Sequence, residues 1–482
     1  MAIRLLEVGR AVRGEGPNGR ESGTNVHLKD ARHQTTGQLE LLLEKGGEAA
    51  PTEKSDEAPK AGHENESSGT DHLMEEVVER DNVEQALKRV MQNKGSPGVD
   101  GMTVEELLKW MPEGWEAVRA KLLDGTYRPT AVREQEIPKS NGGVRKLGIP
   151  TVLDRLIQQC VLQVLQPRFD PTFSQHSYGF RPGRSAHQAL TAAKRYIEEG
   201  RTWVVDVDLE KFFDRVNHDV LMGRLAKRVG DKRMLRLIRG YLNAGVMVDG
   251  VVMARDSGTP QGGPLSPLLA NVLLDEVDKE LEKRGHAFAR YADDCNVYVH
   301  TQRAGERVLE GLKKQFEKLR LRINESKSGV APVTERKFLG HSFVLTDEGE
   351  VNLVVAPKAL EALKDAVRAL TSRAAGKSMR EVIGTLSNRL RGWRQYFNLV
   401  AGKRFASTDG WIRRRLRALQ LKQWKTPSQI AREMRKRGIE GRDGRAVNAH
   451  RDSYWAMSKS PGLHKALTTQ EFHRMKLYLL AT

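Results

Sequence analysis

Only two of the 482 residues are cysteine, Cys160 and Cys295, and they lie far apart in the chain. That is too few for a disulfide framework or a Cys-rich zinc site, and neither sulfur is expected to be structural. Long hydrophobic runs are also missing: no stretch of about 18 apolar residues occurs that would suit a membrane span. The opening MAIRLLEVGRAVRGEG lacks the apolar segment and small-residue cleavage site of a secretory signal. The chain is therefore expected to stay in the cytoplasm, with no membrane partner. Residues 1–70 contain no Phe, Trp or Tyr, and 44–66 is a mixture of Glu, Lys, Ser, Pro and Gly with too little apolar surface to order itself. The expectation for 1–70 is a disordered or accessory tail. No internal repeat is visible.

Negative charge is in short supply. Lys plus Arg number 80 against 62 Asp plus Glu, a formal net charge of +18. A surplus of that size calls for a polyanion, and nucleic acid is the leading partner. Residues 403–482 carry 19 Lys plus Arg against 6 Asp plus Glu, so the polyanion-binding surface is expected toward the C-terminus. The length suggests two or three domains, each with its own core.

From about Asp71, residues Val77, Val78, Val83, Ala86, Leu87 and Val90 recur at helical spacing until the turn signals Gly95, Pro97 and Gly98, which predicts one amphipathic helix. Between about 115 and 345 short β-rich runs alternate with helical segments, as in an α+β domain whose antiparallel sheet is covered on one face. WVVDVDLEKFF (203–213) begins as a strand, and FARYADDCNVYV (288–299) reads as a hairpin with Ala292, Asp293 and Asp294 at its turn. Beyond Pro357 the pattern is helical, near 358–375, 379–400, 409–422 and 427–437. Within RLRGWRQYFNLV (389–400), Trp393, Tyr396, Phe397 and Val400 share one helical face and read as core.

Asp208 ends an apolar strand, where a charge is costly unless a metal or a cation neutralises it. Asp293 and Asp294 are adjacent acids at a hairpin tip with apolar arms, best tolerated beside divalent cations. A lone Asp-Asp pair is usually a solvated turn. A strand-end Asp together with an Asp-Asp hairpin is the arrangement polymerases use to hold two Mg2+ ions, one activating the primer 3′-hydroxyl and one neutralising the triphosphate. Hard oxygen ligands select Mg2+ over zinc.

Eight blocks carry a family resemblance. They are GSPGVDG (95–101), IPKSNGGVRKLGIP (137–150), HSYGFRPGRSAHQAL (176–190), DLEKFFDRVNH (208–218), GTPQGGPLSPLLANVLLDEVD (258–278), RYADDCNVYV (290–299), LRINESKS (321–328) and FLGHSF (338–343). In this order they resemble the bacterial group II intron-encoded reverse transcriptases with maturase activity, over about Asp71 to Thr426. The resemblance implies an α+β right-hand polymerase fold of fingers and palm, followed by an α-helical thumb that doubles as the maturase domain. The implied layout is a tail over 1–70, a fingers extension over 71–114, fingers and palm over 115–345, thumb/maturase over 355–426 and a basic extension over 427–482.

On this resemblance Asp208, Asp293 and Asp294 match the catalytic, metal-binding aspartates, with two Mg2+ ions as cofactor. Asp206 has the same side-chain direction by strand periodicity, but the DLEKFFD block starts at 208, so 208 is expected. Lys139 and Arg145 match the positions that clamp the triphosphate, and Phe213, five residues past Asp208, matches a ring that excludes a 2′-hydroxyl. Gln261, Asn271 and Lys327 match polar positions of the nucleotide pocket, and FLGHSF resembles the primer grip. Arg389, Arg391, Arg394, Arg413, Arg414, Arg415 and Arg417 are candidate RNA contacts, since phosphate binding needs positive charge and reach. The implied activity is RNA-directed DNA polymerisation with group II intron RNA binding, splicing assistance and intron mobility. The implied partners are intron RNA, an RNA template with DNA primer, deoxynucleotide triphosphates and target DNA. Two alternatives remain open: an RNA-binding splicing factor with little polymerase activity, and a reverse transcriptase recruited to phage defence. With no Cys after 295 and no ligand spacing beyond Pro427, the metal-dependent nuclease module that many relatives append is expected to be absent.

Overall fold

The structure, a computed structural model, describes residues 72–138, 144–248, 251–253, 258–259, 262–373, 376–441 and 453–481, with backbone alone at Arg145, Val248 and 251–253. The tail expected over 1–70 lies outside the described residues. Of these, 72–339 with 347–351 form one compact unit, and 340–346 with 352–481 form a second.

The larger unit opens with helices α1 (Leu73–Val78), α2 (Arg80–Asn93) and α3 (Val104–Leu123). The single helix expected after Asp71 is two, because Glu79 is extended (φ −59°, ψ 139°). That bend lets Leu73, Met74, Val77 and Val78 be buried together with Val83, Ala86 and Val90. The expected domain edge at 114/115 falls inside α3. A Thr103–Glu106 capping box starts this helix, and it continues through Pro112 to bury Val118 and Leu122. Burial of that apolar face outweighs the local turn signals Pro112 and Gly114.

Next come β1 (Val132–Pro138), β2 (Val144–Ile149), α4 (Val152–Phe169), α5 (Ala186–Glu198), β3 (Trp203–Val207), α6 (Phe212–Arg215), α7 (His218–Leu225), α8 (Lys232–Asn243), β4 (Val246–Val248) and β5 (Val251–Met253). The unit continues with α9 (Ser266–Lys283), β6 (Ala287–Tyr291), β7 (Asp294–Val299), α10 (Gln302–Lys318), β8 (Gly329–Pro332) and β9 (Lys337–Phe338). One sheet has the order β2-β1-β4-β5 and includes a parallel β1–β4 pair. The other has the order β6-β7-β3-β8 and is antiparallel throughout. In that second sheet Val205, Val207, Cys295 and Val297 alternate onto the face that joins the core with Leu268, Leu273 and Val277 of α9. Asp206 and Asn296, opposite one another in the register, lie on the other face.

The smaller unit contains the paired strands β10 (His341–Leu345) and β11 (Val351–Val355), then α11 (Pro357–Leu370), α12 (Met379–Tyr396), α13 (Ala406–Trp424), α14 (Pro427–Lys436), α15 (Tyr454–Met457), α16 (Pro461–Ala466) and α17 (Thr469–Arg474). Capping boxes at Ser378–Glu381 and Thr426–Gln429 fix two of the helix starts. As expected, Trp393, Phe397 and Val400 are core; Trp393 lies 4.4 Å from Phe397. Of the stretch 427–482, expected as a basic extension, the described residues 453–481 fold back onto this core. The Leu480 and Ala481 amides donate to the Asp409 carboxylate at 3.0 and 2.9 Å, and Ser387 Oγ donates to Lys476 O at 3.0 Å. Among the described residues no helix is long and apolar enough to cross a membrane.

Candidate active site

β3 is an interior strand whose β-branched residues Val204, Val205 and Val207 are all buried. Strand alternation turns Asp206 away from the core helices, and Asp208, one residue past the strand, follows the same direction. Backbone contacts fix Asp208: its N–H donates to Ser328 Oγ at 2.9 Å and its carbonyl accepts from the Asn324 N–H at 2.8 Å. The pairing of Val207 with Cys295 carries Asp208 to the level of Asp294, the first residue of β7. Tyr291 pairs with Asp294 across a two-residue turn formed by Ala292 and Asp293. Ala292 has φ 59°, a conformation that such turns normally give to Gly or Asn. Gly179 makes room for it, since a Cβ at 179 would lie 2.1 Å from the Ala292 nitrogen.

Two cations border the acids. Lys327 Nζ lies 3.6 Å from Asp208 Oδ1, and Arg336 Nη1 lies 3.5 Å from Asp206 Oδ2 while donating to Lys327 O at 3.1 Å. Asn296, in the amide orientation its neighbours require, donates to Asp206 Oδ1 at 3.1 Å. Burial, then the negative charge of Asp294 and, more weakly, of Asp208, push the Asp206 carboxyl up to about 7, against the opposing pull of Arg336.

The donor set is all carboxylate oxygen, which suits a hard divalent cation. Among the described residues no three His, Cys, Asp or Glu side chains converge at ligand spacing. Asp208 is turned toward Lys327. The residues fit a divalent cation in chemistry and in charge, and binding one would draw Asp208 from Lys327.

Phe213 sits in α6, edge-on to Phe212 at 5.0 Å, and is 7% exposed. Its carbonyl accepts from the Thr259 N–H at 2.7 Å, and the Gly258 N–H donates to Val216 O at 2.8 Å. His218 Nε2 lies 2.7 Å from Gly258 O. The start of the 258–263 segment is therefore strapped to the helix that carries Phe213. Gly258 has φ 92°, and a Cβ there would meet the Phe213 and Asp214 carbonyls at 2.9 Å.

Residues 137–343 match the family model for reverse transcriptase (RNA-dependent DNA polymerase), and 360–438 match the group II intron, maturase-specific domain. Protein YkfC of Escherichia coli K12 is 32% identical over 314 residues, covering 56% of this chain and 82% of YkfC. The chain belongs to the group II intron-encoded reverse transcriptases. The group II intron-encoded protein LtrA of Lactococcus lactis is 40% identical over 195 residues, covering 40% of this chain and 32% of LtrA. The alignment therefore spans about a third of LtrA. A solved structure titled as a partial Cas6-RT-Cas1--Cas2 complex matches at 27% identity and TM-score 0.35, covering 52% of this chain and 43% of that one.

Within this reverse transcriptase the expected nucleotide-binding residues divide. Lys327 is at the acids. Asn271 is 1% exposed and engaged at both ends: Nδ2 donates to Gly179 O at 2.9 Å, and Oδ1 accepts from Arg290 Nη1 at 3.0 Å. Both bonds tie it to residues that hold the acid turn. Lys139 and Gln261 lie outside the described residues, and so does the side chain of Arg145.

Four of the seven expected RNA-contact arginines have partners within their own unit. Arg394 donates to the carbonyls of Leu480 (3.0 Å) and Phe397 (2.8 Å). Arg414 donates to Trp455 O at 3.0 Å and stacks on that ring at 3.7 Å. Arg415 donates to Thr371 Oγ1 at 2.6 Å, and the buried Arg417 donates twice to Leu467 O, at 3.1 and 2.9 Å. The guanidinium groups of Arg394, Arg414 and Arg417 hold the tail against the helices, and that of Arg415 ties α13 to the end of α11. Arg389 is partly buried, Arg413 is partly exposed, and Arg391 is exposed beside Asn388 and Tyr478. Cations with exposed side chains stand elsewhere, at Lys403, Arg404, Lys422, Lys425, Arg432 and Arg435.

Sequence reasoning missed Arg290, Asp278, Asn296 and Arg336. The available signal was an arginine inside the otherwise apolar strand FARYA.

Proposed function

We propose that this chain is an RNA-directed DNA polymerase that extends a DNA primer on an RNA template, using Asp208, Asp293 and Asp294 to hold two Mg2+ ions. The observation that carries this reading is the strand register, which brings Asp208 level with Asp294 on the polar face of an antiparallel sheet, with Lys327 3.6 Å from Asp208. When bound, the ions would polarise the primer 3′-hydroxyl and neutralise the triphosphate. The protein's own part is to orient and to balance charge. Lys327, released from Asp208, becomes available to the phosphates of an incoming deoxynucleotide. Arg336 and Asn296 hold Asp206 beneath the site, and the strap at 258–259 holds the helix of Phe213, whose ring is the proposed barrier to a 2′-hydroxyl. Lys139, Arg145 and Gln261 are proposed for the nucleotide pocket on the family motif alone.

The maturase-domain match supports binding of group II intron RNA, assistance to its splicing and, with target DNA, intron mobility in a bacterial cytoplasm. The test is cDNA synthesis by wild type and by Asp293→Ala/Asp294→Ala on a preannealed RNA template and DNA primer, alongside intron RNA binding. The reading expects synthesis to vanish and RNA binding to remain. If neither protein extends the primer while both bind intron RNA, the chain is an RNA-binding splicing factor. Extension by the double variant would remove the acid turn from the site.

A further inference from the structure

We infer that Arg290 is a positioning residue whose buried guanidinium sets the geometry of the Asp293–Asp294 turn and thereby its affinity for divalent metal. The inference rests on the proposed role of that turn in metal binding. Arg290 pairs with Cys295 in the register and so points to the core face of the sheet, away from the acids, where it is 2% exposed. A cation there is costly unless fully partnered. All five of its N–H groups have acceptors, matching the donor capacity of a guanidinium. Nε donates to Asp278 Oδ1 at 2.8 Å, and Nη2 donates to Asp278 Oδ2 at 2.6 Å and Ser177 Oγ at 2.7 Å. Nη1 donates to Asn271 Oδ1 at 3.0 Å and to Ala292 O at 2.8 Å.

The last of these bonds links the cluster to the site. Ala292 immediately precedes Asp293 and holds a positive φ that costs roughly 1–2 kcal/mol for a residue with a Cβ. A strained turn persists only when its surroundings over-determine it. Here one cluster grips the turn from two sides: Arg290 holds the Ala292 carbonyl, and Asn271 holds Gly179, the residue that packs on the Ala292 nitrogen. The 174–181 loop is fastened to β6 as well, because the Tyr178 N–H donates to Arg290 O at 2.8 Å and the Arg290 N–H to His176 O at 2.9 Å. Asp278 and Asn271 both lie on α9, so helix, loop and turn are registered to one another through a single side chain.

Lysine keeps the charge opposite Asp278 but has three donors and no planar fork, so Arg290→Lys should loosen the turn without orphaning the acid. The measurement is Mn2+ binding, read by electron paramagnetic resonance on the full chain bound to a chain-terminated primer-template, with the Mg2+ dependence of extension beside it. Arg290→Lys should raise the Mn2+ dissociation constant and the half-maximal Mg2+ concentration about tenfold, as loss of a support behind metal ligands does. Affinity for primer-template should not change. Asn271→Ser leaves the Arg290–Asp278 pair intact and should raise both by about fivefold, the worth of one net hydrogen bond. This second variant decides the matter if Arg290→Lys does not fold. Folded variants with lower melting temperatures but wild-type Mn2+ affinity and Mg2+ dependence would overturn the inference, leaving Arg290 purely structural. Wild type that binds no Mn2+ would overturn the metal reading beneath it, a failure visible before any variant is made.

Discussion

The palm and the C-terminal helical unit are both rich in charge, and they use it in opposite ways. In the palm, like charges are gathered: Asp206, Asp208 and Asp294 share one face of a sheet, and the Asp206 carboxyl is pushed up to about 7. In the helical unit, positive charge is plentiful but largely committed. Arg394, Arg414, Arg415 and Arg417 each satisfy carbonyl or hydroxyl oxygens of the same unit. A protein can gather like charges where a ligand will supply further counter-charge, whereas arginines that close a fold are consumed by it. The size of a charge surplus therefore indicates a partner without identifying the contacts.

This contrast can be broken experimentally, beginning where the effect is largest. Asp208→Asn should lower cDNA synthesis by about 10³-fold, the equivalent of several kcal/mol of lost charge stabilisation. Asp206→Asn, which keeps a hydrogen-bonding partner for Arg336, should stay within about tenfold of wild type. Equal losses in single-turnover rate would make Asp206 a full member of the site. Next, Arg417→Ala should lower unfolding free energy by about 2–3 kcal/mol, because it leaves the Leu467 carbonyl without its charged donor. Denaturant titration checks this, and unchanged stability with weakened RNA binding would return Arg417 to the RNA surface.

Smaller effects are expected at the nucleotide and RNA surfaces. Phe213→Val should improve use of ribonucleotides relative to deoxynucleotides by about tenfold, the scale of discrimination that shape alone provides. An unchanged ratio in competitive primer extension would reassign the ring to the core, where it already sits at 7% exposure. Neutralising the exposed Lys422, Lys425, Arg432 and Arg435 together should weaken intron RNA binding and reduce its log-log salt slope by about 0.7–0.9 for each phosphate no longer neutralised. The same slope as wild type would locate the RNA surface elsewhere.

Much of this was legible in the sequence because local pattern and tertiary role coincide. The apolar alternation around Asp208 and the hairpin around Asp293 and Asp294 encode both the sheet and the place of the acids. The helices beyond Pro357 follow from their apolar spacing. The break at Glu79 and the run of α3 through Pro112 were not legible, since burial of apolar faces decides both. Asn271 reads as a free amide in a helix, and only the fold reveals that Gly179 and Arg290 use it at both ends. Arg414 and Arg417 of α13 look like a solvated face until the tail from 453 to 481 packs against them. In each case a distant segment supplies the partner, and spacing along the chain does not encode that.

The most direct test of the account is extension of an oligo(dT) primer on poly(rA) by the purified wild-type chain, with dTTP, at increasing Mg2+. The expected result is cDNA synthesis that requires Mg2+ and stops when the metal is chelated. A folded chain that binds the primer-template yet adds no nucleotide at any Mg2+ concentration would contradict it.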